Sequence, residues 1–250
     1  MIECFDCHFH IIDHRFPLIP NKGYLPESFT VAQYRQRTRS WRCRGGAVVS
    51  GSFQGFDQDY LLAALRELGP GFVGVTQLPA TASDADITRL AQAGVRGLRF
   101  NLYRGGSASA EHLTTLAKRV NELAGWHIEL YVDSRELPGL FGVLADLPAV
   151  AVDHLGLSRE GLPHLLKLVE RGLRVKATGF GRLDFDPRTA IRDIAAANPE
   201  ALMFGSDLPS TRAAQPFQDR DVALIHEMLD PAVAERVMYR NALAFYRAPE

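Results

Sequence analysis

Short apolar runs alternate with longer amphipathic stretches along the whole chain of 250 residues. Eight runs of strand length begin at Phe5-Asp6-Cys7-His8, Gly46-Ala47-Val48-Val49, Phe72-Val73-Gly74-Val75 and Gly97-Leu98-Arg99-Phe100, then at His127-Ile128-Glu129-Leu130, Val150-Ala151-Val152-Asp153, Leu173-Arg174-Val175-Lys176 and Leu202-Met203-Phe204-Gly205. Helical periodicity lies between them. From Asp57 to Leu68, Tyr60, Leu61, Ala64, Leu65 and Leu68 form one stripe that Gly69-Pro70-Gly71 stops. Ser109 can cap a pattern carrying Leu113, Leu116, Ala117 and Val120 and ending near Gly125. Leu162 to Val169, Pro187 to Ala196 and Asp219 to Leu229 read the same way. Ala232 to Tyr246 predicts an extra C-terminal helix packed across the end of the fold.

Strict strand–helix alternation implies parallel strands joined by right-handed crossovers. Eight such units at this length predict a single (β/α)8 TIM-barrel domain over residues 1–250, with a doubly wound open sheet as the competing arrangement. The sequence has no linker, repeat or low-complexity tract that would divide it.

A formal net charge of −1 gives no long-range field to gather nucleic acid or anionic lipid. No window reaches the ~18 apolar residues of a membrane span. The start, MIECFDCHFH, lacks a basic end and an apolar run, so a cytoplasmic protein with reduced thiols is expected. Cys4 and Cys7 form a C-x-x-C, but a spacing of three within a strand sends them to opposite faces, and no second pair completes a zinc site.

Chemistry collects at strand ends. In Asp6-Cys7-His8-Phe9-His10, alternation puts Asp6, His8 and His10 on one face and Phe5, Cys7 and Phe9 on the other. Asp6 would then be placed to fix the tautomer of His8. His154 follows the sixth strand in Val-Asp-His-Leu-Gly, and Asp207 follows the eighth in Gly-Ser-Asp-Leu-Pro. Singly, each is as well read as a hydrogen-bonded histidine or a turn-capping aspartate. Three imidazoles and a carboxylate at the C-terminal ends of one barrel's strands are what a catalytic centre needs. No G-x-S-x-G elbow, P-loop or dinucleotide fingerprint is present.

The D-x-H-x-H, D-H-L-G and G-S-D-x-P segments, with the closing Asn-Ala-Leu-Ala-Phe-Tyr, resemble the amidohydrolase superfamily. Within it the chain resembles the branch of 2-pyrone-4,6-dicarboxylate hydrolase and sugar lactonases. The resemblance implies substrate-binding roles for Tyr24 in Tyr-Leu-Pro, Ser52 in Ser-Phe-Gln-Gly, Arg99 in Arg-Phe-Asn, Tyr131 in Leu-Tyr-Val-Asp and Arg182 in Gly-Arg-Leu. Arginine's planar fork suits a carboxylate, although Arg99 and Arg182 read equally well as partners in structural ion pairs. One position departs: where that hydrolase carries a second arginine, this chain has Gly105, with Arg104 beside it. Recognition of a second carboxylate is thereby put in question.

The expected partner is a small anionic molecule. The expected reaction is opening of a carboxylated lactone, with Asp207 as general base and His8, His10 and His154 donating hydrogen bonds to the carbonyl oxygen. No metal is expected to be obligatory, because the resembled hydrolase works without one. If a single zinc or manganese binds, His8, His10 and Asp207 are its ligands. The alternatives are a one-metal decarboxylase, a lactone isomerase, and a catalytically silent binding barrel. The decarboxylase-like members place a histidine after strand five, whereas here His127 stands at that strand's beginning.

Overall fold

The computed structural model describes residues 2–147 and 149–248. All eight apolar runs are parallel strands: β1 (Ile2–Phe9), β2 (Trp41–Val49), β3 (Phe72–Thr76), β4 (Val95–Asn101), β5 (His127–Tyr131), β6 (Val150–Val152), β7 (Arg174–Ala177) and β8 (Leu202–Phe204). They lie in one sheet in chain order. Asp207 N donates to His8 O at 2.7 Å and His10 N to Leu208 O at 2.8 Å, which joins the last strand's end to the first. A (β/α)8 barrel results and the open sheet is excluded. The seam needs Gly205, because a Cβ there would lie 2.8 Å from His8 N and 2.9 Å from its Cβ.

The expected helices are α2 (Asp59–Leu68), α4 (Leu113–Ala124), α6 (Leu162–Val169), α7 (Pro187–Ala197) and α8 (Asp219–Met228), with α1 (Val31–Arg37), α3 (Asp84–Gln92) and α5 (Phe141–Ala145) completing the ring. Local chemistry starts the first and third: Thr30 and Gln33 form a capping box, and Ser83 accepts from Asp86 N. The α2 stripe is buried as its spacing predicts. The terminal stretch is two short helices, α9 (Pro231–Glu235) and α10 (Asn241–Tyr246), joined by a π-helical turn at Arg236–Arg240. No helix among the described residues is long and apolar enough to cross a membrane.

Two apolar layers follow from strand alternation. Val48, Leu98, Ile128 and Val175 pack outward on helix residues such as Leu61, Ile87 and Leu116. Phe5, Cys7, Val49, Val75 and Met203 fill the lower barrel, where Tyr246 of α10 closes it. Leu→Ala at a fully buried outer site such as Leu61 typically costs about 2–5 kcal/mol.

Strand β1 breaks the expected alternation. Asp6 pairs with Gly46 but Phe9 pairs with Val48, three steps against two, so β1 carries a bulge. Phe5 and Cys7 therefore belong to the inner layer, while Phe9 lies outside, stacked on Tyr34 at 3.9 Å. Asp6 turns outward, accepting from Tyr34 OH (3.1 Å) and Ser206 Oγ (2.6 Å). Its contact with His8 is to the backbone N at 3.3 Å, so it does not fix that imidazole's tautomer. Cys4 and Cys7 do fall on opposite faces, and all three cysteines are free.

Candidate active site

The ends of β1, β6 and β8 bring the chemistry together. His154 and Asp207 both have left-handed backbones, with φ of 52° and 59°. That conformation costs a residue with a side chain about 1–3 kcal/mol and persists only where surrounding structure imposes it. His8 Nε2 and His10 Nε2 each lie 3.9 Å from Asp207 Oδ1, and the His154 ring centre is 4.9 Å from that of His8. Gly179 makes room for this packing, since a Cβ there would sit 2.5 Å from His154 Nδ1.

Protonation states follow from partners and burial. His10 Nδ1 lies 2.7 Å from Val49 O, which can only accept, so Nδ1 carries the proton. Burial, then the neighbouring His8, holds this imidazole well below its usual pKa. The ring is neutral and its Nε2 is a lone pair, not the N–H donor that a carbonyl-polarising His10 requires. Burial and then Lys176 lower His8; burial and then Arg182 hold His154 well down. Among the described residues, His8 Nε2, His154 Nδ1 and Asp207 Oδ1 are buried without a hydrogen-bond partner. Each such atom typically costs about 1–3 kcal/mol, so three at one place call for a ligand.

His8, His10 and Asp207 offer ligand atoms within 4.8 Å of one another. The His10 lone pair, the unpartnered Nε2 of His8 and a carboxylate oxygen of Asp207 suit one divalent ion of the zinc or manganese class, which would satisfy both unpartnered atoms of that set. His8, Asp153 and His154 form a second group of the same kind. It is the poorer cradle, because Asp153 already faces Arg99 at 2.8 Å and Lys176 at 3.4 Å.

Beneath the imidazoles lies an ionic layer. Lys176 Nζ reaches Glu129 Oε2 at 2.5 Å and His8 Nδ1 at 3.1 Å, and His8 Nδ1 is 3.3 Å from Asp153 Oδ1. Burial alone would raise Glu129, but Lys176 and His127 overcome it and hold the carboxyl at about 2. Against the same burial, Arg99 and Lys176 keep Asp153 well below the usual range. Sequence reasoning gave Lys176, Glu129 and Asp153 no role. The available signal was a charge at an inward position of an otherwise apolar strand, as in Ile-Glu-Leu and Val-Lys-Ala.

The mouth above is lined by His10, Ser52, Arg99, Tyr131, His154 and Arg182, together with Asn101, Arg104, Thr211 and Arg212. Eight of the nine expected site residues thus come together, His8 and Asp207 forming its floor; Tyr24 stands at the rim under Arg212, at 4.4 Å from ring centre to guanidinium. Arg99 is committed, with Nε and Nη2 on Asp153 Oδ2 (3.0 and 2.8 Å) and Nη1 on Ser50 O (3.0 Å). Arg182 Nε holds Asp207 Oδ2 at 2.7 Å. Both arginines therefore line the site and also form the buried ion pairs that the sequence left as their other reading. His127 lies at the opposite end of the barrel, against Glu129 and Phe245.

A family model for amidohydrolases matches residues 5–248. The chain is 28% identical over 229 residues to 2-pyrone-4,6-dicarboxylate hydrolase of Comamonas testosteroni, covering 86% of this chain and 73% of that protein. It is 24% identical over 270 residues to D-galactarolactone isomerase of Agrobacterium fabrum strain C58, covering 97% and 90%. A Pseudomonas putida crystal structure described as a 2-pyrone-4,6-dicarboxylic acid hydrolase superposes with a TM-score of 0.83 at 27% identity, covering 99% of this chain and 98% of that one. With its barrel, its strand-end histidines and aspartate, and a match over nearly its full length, the chain belongs to the amidohydrolase family, in the branch that includes 2-pyrone-4,6-dicarboxylate hydrolase.

Proposed function

We propose that this protein hydrolyses the lactone ring of a small carboxylated substrate. The observation that carries the reading is the set of unpartnered buried atoms, His8 Nε2, His154 Nδ1 and Asp207 Oδ1, beneath a mouth lined with guanidinium groups. Such atoms are costly unless a ligand or a reaction uses them. The relationship to a hydrolase and an isomerase named for cyclic esters supplies the substrate class.

Asp207 is the general base. Its Oδ2 stays on Arg182, which orients the carboxylate, and its Oδ1, unpartnered within the protein, has one lone pair for an ion held with His8 and His10 and another for a proton of the attacking water. The water oxygen bonds to the ester carbonyl carbon, the ring C–O bond breaks, and the proton returns to the leaving oxygen. His154 is neutral and has a free ring nitrogen, which serves as hydrogen-bond donor to the carbonyl oxygen as charge builds there. His8, His10 and Asp207 would hold one divalent ion, which when bound polarises the carbonyl and acidifies water. A bound ion is thus proposed where the sequence suggested none was obligatory, on the ground that His10 presents a lone pair.

Turnover of a lactone panel, followed by acid release, tests the reaction. Elemental analysis and chelation test the ion. About one equivalent of zinc or manganese, with activity lost on chelation and restored by the metal, is expected. Full activity in protein shown to be metal-free would return the electrophilic role to the imidazoles alone. The isomerase relationship favours a second reading, ring migration at the same carbonyl. It predicts a rearranged lactone by NMR with no acid released. Ligand-induced stabilisation without any turnover would point to a binding barrel.

A further inference from the structure

The C-x-x-C of the first strand resolves into a different pair. Cys7 lies in the inner layer, where its Sγ donates to Met203 O at 3.4 Å. Cys4 faces outward, and its cross-strand partner is Cys43 of β2, directly opposite in the parallel register. Opposed residues of a parallel pair point to the same face, on strands about 4.8 Å apart. A disulfide needs Cα atoms about 4.4–6.8 Å apart, so the two residues stand at bridging distance while both thiols are free.

The surroundings favour closure. After Cys4–Cys43 the register steps to Phe5–Gly45, which makes Arg44 an extra residue and gives β2 room to adjust beside Cys43. The thiols already interact, and their contact is the foremost cause that raises Cys4 and lowers Cys43. Tyr34 OH, 3.4 Å from Cys43 Sγ, lowers Cys43 further. The same hydroxyl bonds Asp6 Oδ2 at 3.1 Å, so it keeps a partner when Cys43 turns away. Cys4 has no solvent exposure, whereas Cys43 is partly exposed. Cys43 is thus the thiol that an oxidant reaches, and Cys4 the one that resolves the product.

We propose that Cys4 and Cys43 form an oxidation site that closes into a disulfide when the protein meets a peroxide, clamping β1 to β2 at the end of the barrel away from the mouth. The inference is independent of the lactonase reading. The Cys43 sulfur attacks one peroxide oxygen. An S–O bond forms, the O–O bond breaks, and the other oxygen leaves as water or alcohol with the Cys43 proton. The Cys4 sulfur then attacks the sulfenic sulfur, the S–S bond forms, and the hydroxyl leaves with the Cys4 proton as water. The two thiols supply the two electrons that the peroxide accepts.

The test treats the intact protein with hydrogen peroxide, unfolds it in the presence of iodoacetamide and digests it without reductant. A peptide pair joined through Cys4 and Cys43, lighter by two hydrogens, is expected, with Cys7 alkylated. The same pair should form in Cys7→Ser. Cys4→Ser should stop at a Cys43 sulfenic acid, trapped by dimedone, and Cys43→Ser should form no crosslink. The melting temperature of the oxidised protein should rise by about 5 °C or more and return on treatment with dithiothreitol, because the closed loop constrains the unfolded chain. Cys4 and Cys43 both alkylated after peroxide would overturn the proposal, as would a crosslink through Cys7 or a Cys43 sulfinic or sulfonic acid beside a reduced Cys4. A Cys4–Cys43 bond that leaves the melting temperature unchanged or lower would remove the clamp. The crosslink is read in the unaltered chain, so a serine variant that fails to fold does not decide the outcome.

Discussion

The two ends of the barrel bury the same kinds of polar group and treat them oppositely. At the lower end Glu129 is answered on both oxygens: Tyr246 OH donates to Oε1 at 2.6 Å, with Cys7 O 3.1 Å from the same hydroxyl, His127 Nε2 sits 3.2 Å from Oε1, and Lys176 takes Oε2. At the mouth His8 Nε2, His154 Nδ1 and Asp207 Oδ1 are left without partners, the last two on backbones held at positive φ. Burial alone therefore does not mark the functional residues, since Glu129 and Asp207 are equally inaccessible. What separates them is satisfaction. A satisfied buried group contributes to the fold, and an unsatisfied one is retained at a cost that only a ligand or a reaction offsets.

The sharpest way to break this contrast is to change one residue at each end. Asp207→Asn should lower turnover by about 10²–10⁴-fold, because an amide cannot accept the proton. Its melting temperature should fall by only a few degrees, since Arg182 keeps Thr211 O at 2.8 Å. Retention of a tenth of the activity would remove Asp207 from the base role.

Lys176→Met should do the reverse in kind, costing about 3–5 kcal/mol of stability by denaturant titration. It strands Glu129 and crowds Asp153 with one cation fewer. A loss below about 1 kcal/mol would show the ionic layer to be dispensable.

Acid sharpens the comparison further. The folded pKa of Glu129 is depressed from 4.5 to about 2. Its contribution is therefore present above about pH 4.5 and lost as pH falls towards 2, on the order of 3 kcal/mol. Unfolding free energies of the intact protein and Glu129→Gln should accordingly converge between pH 5 and pH 2.5. A gap that stays constant would mean that Glu129 is not held ionised in the fold.

The smallest expected effect is that of Tyr246→Phe. Removing a hydroxyl that bonds an ionised carboxylate should cost about 1.5–3 kcal/mol of stability and leave kcat within twofold. A large fall in kcat at unchanged stability would tie the two ends together and blur the distinction.

Much of this was legible in the chain. Alternating periods fix where strands and helices form, because burial of one face is a local property of spacing, and the barrel follows from parallel strands in sequence order. His8, His10, His154 and Asp207 were visible because each sits where an apolar run stops. The bulge in β1 was not visible, because it depends on the register against β2, and it reverses the faces of Phe5, Cys7 and Asp6. Only the folded chain decides that His10 presents a lone pair, since Val49 O is contributed by a neighbouring strand. The same holds for the arginines: Arg99 is locked by Asp153, 54 residues away, and Arg212 joins Arg104 across loops more than 100 residues apart in sequence. Periodicity is written in neighbours along the chain, whereas protonation, charge pairing and free valence are settled by neighbours in space.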